Sequence, residues 1–118
     1  MKALRQIHTH FIAGTEQGNV SRITELDVEF HNRIYEATDN QKLVQLINNL
    51  QEQMYRYRLE YIKDREQWPV IVQEHRAIID ALTARDAEAA KEAIRVHISN
   101  QEMTVRERIL KEEKLQDR

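Results

Sequence analysis

Apolar residues recur along this chain at steps of three and four. Leu4, Ile7, Phe11 and Ile12 open the pattern, which lines one face of an α-helix. They predict a first helix over about residues 2–17, ending near Gly18. Ile23, Phe30 and Ile34 carry a second from about Ser21 to Thr38, with Ser21 as its expected N-cap and Asp39-Asn40 as the break after it. Leu43, Leu46, Ile47, Leu50, Met54, Tyr57 and Tyr61 carry a third over about 41–63, followed by the polar turn Asp64-Arg65-Glu66. A fourth helix is expected over about 67–84, with Pro69 in its first turn, where a missing N–H is harmless. Arg85-Asp86 separates it from a fifth, capped by Asp86 and running to about residue 115, roughly 45 Å at 1.5 Å per residue. Its polar end, Lys111-Glu-Glu-Lys-Leu-Gln-Asp-Arg118, is expected to be solvated and fraying. Connections this short favour antiparallel neighbours. The expected fold is all-α, an antiparallel helical bundle of about five helices forming a single domain over residues 1–118.

Composition agrees and narrows the function. Two glycines and one proline in 118 residues are too few for the turns of a β fold. The apolar fraction of 41% supplies a core, and 18 basic residues are mixed with 20 acidic ones for a net charge of -2. No basic block stands out, so nucleic-acid binding by this chain itself is not expected. Without cysteine there are no disulfides, thiolate ligands or cysteine nucleophiles. No apolar run approaches the roughly 20 residues that span a bilayer, and the start lacks a signal-peptide core. The expected location is the cytoplasm, with no membrane partner.

The chemistry lies in polar residues placed on apolar faces. Asp27 and His31 are four apart and fall inside the stripe of Ile23, Phe30 and Ile34, so a carboxylate and an imidazole project together toward the core. In the fourth helix His75 shares a face with Val72, Ile79 and Leu82. In the fifth, His97 shares one with Ala90, Ala93 and Ile94. Burying such groups without partners costs several kcal/mol or shifts their protonation. A lone inward histidine is most simply a core imidazole bonded to a neighbour. Three of them with an aspartate also form a donor set for zinc, nickel or a related divalent ion, and spacing alone leaves both readings open. Arg58 lies at the edge of the third helix's stripe, beside Tyr57 and Tyr61, whereas Arg56 points away. A guanidinium there can clamp the carboxylate of a small anion, or it can reach a glutamate or solvent. Asn100, Gln101 and Thr104 continue the His97 face. His8 and His10 read as surface or rim residues, and the tyrosines as packing.

Taken in order, these residues resemble one family. Asp27-Val-Glu-Phe-His31-Asn-Arg-Ile34 and Ala37-Thr-Asp-Asn40-Gln-Lys-Leu43 are similar to its D-x-x-F-H-x-x-[IL]-x-x-A-x-x-N-x-x-L signature. Glu74-His75-Arg-Ala-Ile78-Ile-Asp-Ala81 and Arg85-Asp86-Ala87-Glu88-Ala-Ala90 resemble its second segment, and His97 follows at the expected interval. The family is the C-terminal effector-binding (FCD) domain of FadR-type GntR transcription regulators, and the likeness covers roughly residues 20–100. It implies a divalent metal held by Asp27, His31, His75 and His97, as in the metal-binding branch rather than the acyl-CoA-binding one. It also implies a small carboxylate effector beside the metal, with Arg58 and Asn100 as effector-binding residues. Complete members begin with a winged helix-turn-helix domain and one further bundle helix. Both are absent here, so DNA binding is expected only through an N-terminal domain outside this sequence, and homodimerisation is expected of the helical part.

The resemblance implies a sensor and not an enzyme. Two other readings compete with it. A metal-dependent, hydrolase-like enzyme would need a general base, and Glu74, next to His75, is expected to face away from the metal because consecutive helical residues diverge by about 100°. A purely structural helical dimerisation domain would bind no metal.

Overall fold

A computed structural model describes residues 2–116. Asp117 and Arg118, the end of the polar tail, lie outside the described residues. Six α-helices follow one another: α1 (Lys2–Gln17), α2 (Val20–Ala37), α3 (Gln41–Asn49), α4 (Gln51–Ile62), α5 (Trp68–Thr83) and α6 (Ala87–Gln116), with one 3-10 turn at Arg65–Gln67 before α5. There is no strand among the described residues. The all-α expectation holds, and four of the five expected helices sit within a residue or two of their expected limits.

The expected third helix is broken. Leu50 leaves helical geometry at φ -101°, ψ 12°, and its N–H bonds to the carbonyls of both Leu46 and Ile47, tightening the turn. Two causes act together. Asn48 and Asn49 are poor helix formers, and the apolar stripe of α3 is only partly covered, with Leu43, Val44 and Ile47 half-buried and no residue fully buried. Leu46 stays 56% and Leu50 41% exposed, so little packing energy holds the two halves in line.

Helix ends follow local chemistry. Gly18 sits at φ +70°, a left-handed conformation that glycine adopts without strain, and its N–H bonds to the Thr15 carbonyl to close α1. That turn makes Asn19, not Ser21, the N-cap of α2, its side chain accepting from the Arg22 N–H. Asn40 caps α3 in the same way, and Asp86 caps α6 through the Ala89 N–H as expected. Pro69 does fall in the first turn of α5. The α4–α5 turn is pinned by Trp68, whose indole N–H donates to the Ile62 carbonyl at 2.7 Å.

In the bundle α1 packs on α2 and α5, α2 also packs on α4, and α6 packs on α5 and α4. Gly14 lies where α1 approaches α2 closely, and a Cβ there would stand 3.2 Å from Ile23 Cγ1, a tight contact. Ile23, Phe30, Tyr61, Ile62 and Ile71 are wholly excluded from solvent and form the centre of the core with Phe11, Leu26 and Ile78. The polar residues taken up next lie against this apolar centre.

Candidate metal centre and ligand cavity

Three helices deliver the inward polar groups. Asp27 and His31 come from adjacent turns of α2, His75 from the middle of α5 and His97 from α6. Asp27 and His75 are completely buried, His97 is 1% exposed and His31 8%. The structure therefore brings together the four residues singled out by their helical faces.

The three imidazoles lie close enough to share one ion. His31 Nε2 and His97 Nε2 are 3.3 Å apart. Asp27 Oδ1 lies 3.3 Å from His75 Nε2 and 3.5 Å from His31 Nε2. One nitrogen from each of His31, His75 and His97 falls within 4.8 Å of the other two, and Asp27 approaches from the side of His31 and His75. Two ligand atoms about 2.1 Å from one ion, at a tetrahedral angle, would be about 3.4 Å apart. The three histidines could thus share a divalent ion, with Asp27 beside His31 and His75.

The hydrogen bonding points the same way. Both carboxylate oxygens of Asp27 and both ring nitrogens of His75 are buried without a hydrogen-bond partner. The 3.3 Å approach of these two residues is close in distance but lacks bonding geometry. Buried polar atoms rarely go unpaired, because each one costs about 1–3 kcal/mol. A cation among them would satisfy Asp27 and His75 Nε2 together.

Protonation is also set for metal binding, which needs neutral imidazole and ionised carboxylate. Burial pushes His31 down to about 4, against the opposing pull of Asp27, and Arg58 lowers it further. Burial likewise lowers His75 to about 3, although Asp27 favours its charged form. For Asp27 burial acts upward, but His31, His75 and Arg58 outweigh it and hold the carboxyl well below its ordinary value.

Neighbouring groups fix the rings. Phe30 stacks on His75 with centroids 4.0 Å apart and planes within 8°. Glu74 Oε1 lies 2.9 Å from His97 Nδ1 and accepts its proton, which leaves Nε2 as the lone-pair nitrogen facing the cluster. A carboxylate behind a histidine is the usual partner of a metal-binding imidazole. Glu74 does diverge from His75, as the helical angle requires, but toward α6. It is thus part of the site's support and does not face away from it. Asn100 donates to Glu74 Oε2, one step behind His97 rather than on the cavity wall.

Arg58 is inward and 5% exposed. Its Nε is 3.7 Å from Asp27 Oδ2, and Nη1 donates to Gln101 Oε1. Gln101 Nε2 in turn reaches His97 Nε2 at 3.2 Å. Arg56 is exposed and pairs with Glu52. Beside this group opens a cavity of about 320 Å³, lined by His31, His97, Arg58 and Gln101 together with isoleucines, Met54 and two tyrosines. That volume is at the low end for small-molecule sites.

His8 corrects an expectation. It is 7% exposed, not a surface residue, and both ring nitrogens lack partners. It packs with its ring centroid 6.2 Å from that of His75, covered because α1 lies against α5. His10 is exposed as expected.

The family model of the FCD domain matches residues 1–100. The chain has no significant match among curated proteins or among solved structures.

Proposed function

We propose that this chain, which belongs to the FCD domain family, is a metal-dependent, small-carboxylate-sensing effector domain of a GntR/FadR-type transcription regulator. FCD domains are ligand-sensing regulatory domains of GntR-type regulators. The observation that carries the metal-dependent reading is the Asp27–His31–His75–His97 cluster, with its unpaired buried atoms, next to a cavity that holds Arg58. Three imidazole nitrogens and one carboxylate oxygen suit zinc or nickel. When bound, the ion would supply a Lewis-acidic position for an anionic oxygen.

The chain's own residues supply the rest. Asp27, His31, His75 and His97 hold the ion, and Glu74 keeps His97 in the ligating tautomer. Arg58 donates to Gln101 and faces Asp27 as an ion pair at 3.7 Å, and the rest of its five-donor fork can receive a carboxylate in the cavity. Asn100 contributes by holding Glu74. The domain would act as a homodimer, with DNA bound by a separate N-terminal domain. Ligand would change that binding only to the extent that it prefers one arrangement of the paired domains.

A hydrolase-like reading has less support. Glu74 is the carboxylate nearest the cluster besides Asp27, and its two oxygens are engaged by His97 and Asn100. It is poorly placed to take a proton from a water.

Elemental analysis of tag-free protein should find about one divalent ion per chain, and no uptake after added zinc or nickel would sink the metal-dependent reading. Small carboxylates should raise the melting temperature of the loaded protein by mass action. Arg58→Lys should remove that rise, since lysine cannot reproduce the planar fork. Turnover of an added acid would instead favour the enzyme.

A further inference from the structure

His8 is a buried polar side chain that the candidate centre leaves unused, and it lies against one of the centre's ligands. It comes from the inner face of α1, with Leu4, Ile7 and Phe11, and is 7% exposed. Neither of its ring nitrogens has a hydrogen-bond partner. Its ring centroid stands 6.2 Å from that of His75, with the planes tilted by 58°.

His75 has a matching need. Its Nε2 lies 3.3 Å from Asp27 Oδ1, on the side of the cluster. The two nitrogens of an imidazole point in different directions, so Nδ1 turns away from Asp27, and it too is buried and unpaired. An ion on Nε2 fixes the ring's remaining proton on Nδ1, and that proton then needs an acceptor. Of the other rings packed around His75, His31 and His97 belong to the cluster, and Phe11 and Phe30 carry no acceptor nitrogen. His8 carries one.

We propose that His8 is a positioning residue for the metal centre: its ring accepts the His75 Nδ1 proton and so holds Nε2 toward the ion. The inference rests on the metal-dependent reading. A small turn of either ring, or one shared water, closes the remaining gap. The link is the counterpart on α5 of the one that Glu74 makes to His97 on α6, with an imidazole in place of a carboxylate. His8 also lines a groove with Arg5, Thr9, Arg76 and Asp80, which offers polar partners for its second nitrogen.

Glutamine and methionine at position 8 make the test, because they are close in shape and differ in hydrogen bonding. Chelator competition measures zinc affinity, and thermal melts measure the stability of the metal-free chain. His8→Met should weaken zinc binding about 10–100-fold. His8→Gln should bind zinc at least about fivefold tighter than His8→Met, the worth of one neutral hydrogen bond. In the metal-free chain the order should reverse, with His8→Met melting no lower than His8→Gln, since a buried thioether needs no partner. A residue that only fills space would move both measurements in the same order. Equal zinc affinity in the two variants would overturn the inference, and so would a His8→Met chain that fails to fold where His8→Gln folds. Nitrogen-15 spectra of the unsubstituted zinc-loaded chain need no variant. They should show the His75 proton on Nδ1, and a proton on Nε2 would overturn the inference. No zinc uptake by the unsubstituted chain would sink the metal-dependent reading and this inference with it.

Discussion

Glu74 offers a sharp test of how the candidate centre is built, because it touches His97 without belonging to the ligand set. Its Oε1 lies 2.9 Å from His97 Nδ1, and the His97 ring is 1% exposed, so water cannot replace the bond. Glu74→Gln keeps the shape and one acceptor but removes the charge. A hydrogen bond to a charged group contributes about 1.5–3 kcal/mol and a neutral one about 0.5–1.5. The difference of about 1 kcal/mol should weaken zinc binding about fivefold. Glu74→Ala removes the acceptor as well, leaving Nδ1 unpaired and the tautomer free, and loss of such an outer partner weakens metal binding about 10–100-fold. Competition with a chromophoric chelator at pH 7.5 measures both, with far-ultraviolet circular dichroism to check that the helices persist. The expected order of affinity is parent, Glu74→Gln, Glu74→Ala. Parental affinity in Glu74→Ala would refute the reasoning, since His97 would then owe nothing to Glu74. A greater loss in Glu74→Gln than in Glu74→Ala would refute it too.

Three further outcomes are expected. His75→Ala should abolish tight uptake of zinc or nickel, and a folded variant that still retains one equivalent would mean that the ligands are misassigned. Metal-free protein should lose stability on acidification. The unfolded histidines take up protons near pH 6.5, whereas folded His31 and His75 resist until about 4 and about 3. Their contribution is therefore complete above pH 6.5 and is lost as pH falls, at up to about 1.4 kcal/mol per pH unit for each; equal urea midpoints at pH 7.5 and 5 would contradict this. Gly18→Ala should destabilise by about 1–2 kcal/mol in denaturant melts, because φ is +70° and left-handed backbone is costly for alanine, with the added Cβ also 3.1 Å from the Arg65 guanidinium.

Much of this arrangement was legible from helical periodicity. Asp27, His31, His75 and His97 each lie on the apolar stripe of their own helix, and a stripe states what points inward whatever it meets there. The features that periodicity missed depend on a neighbouring helix. The stripe from Leu43 to Tyr61 reads as continuous, yet its first half is only partly covered and the helix parts at Leu50. His8 looks like a rim residue on α1 until α5 covers it. Glu74 does diverge from His75, but only the position of α6 reveals that it diverges onto His97. Asn19 and Ser21 are both competent caps, and the positive φ of Gly18 decides between them. The cavity likewise joins residues of α2, α4, α5 and α6, a convergence with no one-dimensional signature.

The stack of Phe30 on His75 has one more consequence. In many small metal-binding folds loading and folding are a single event. Here Phe30, Ile23, Ile71 and Ile78 belong to an apolar core beside the rings, and burial of that hydrocarbon is favourable on its own. On the metal-dependent reading, removal of the ion should lower the melting temperature and leave the helices standing. Occupancy can then follow the supply of ion reversibly. On the proposed reading, with the acid bound at the loaded centre, the domain is a coincidence detector. It registers the acid only while the metal is also present, and a shortage of either gives the same silent state.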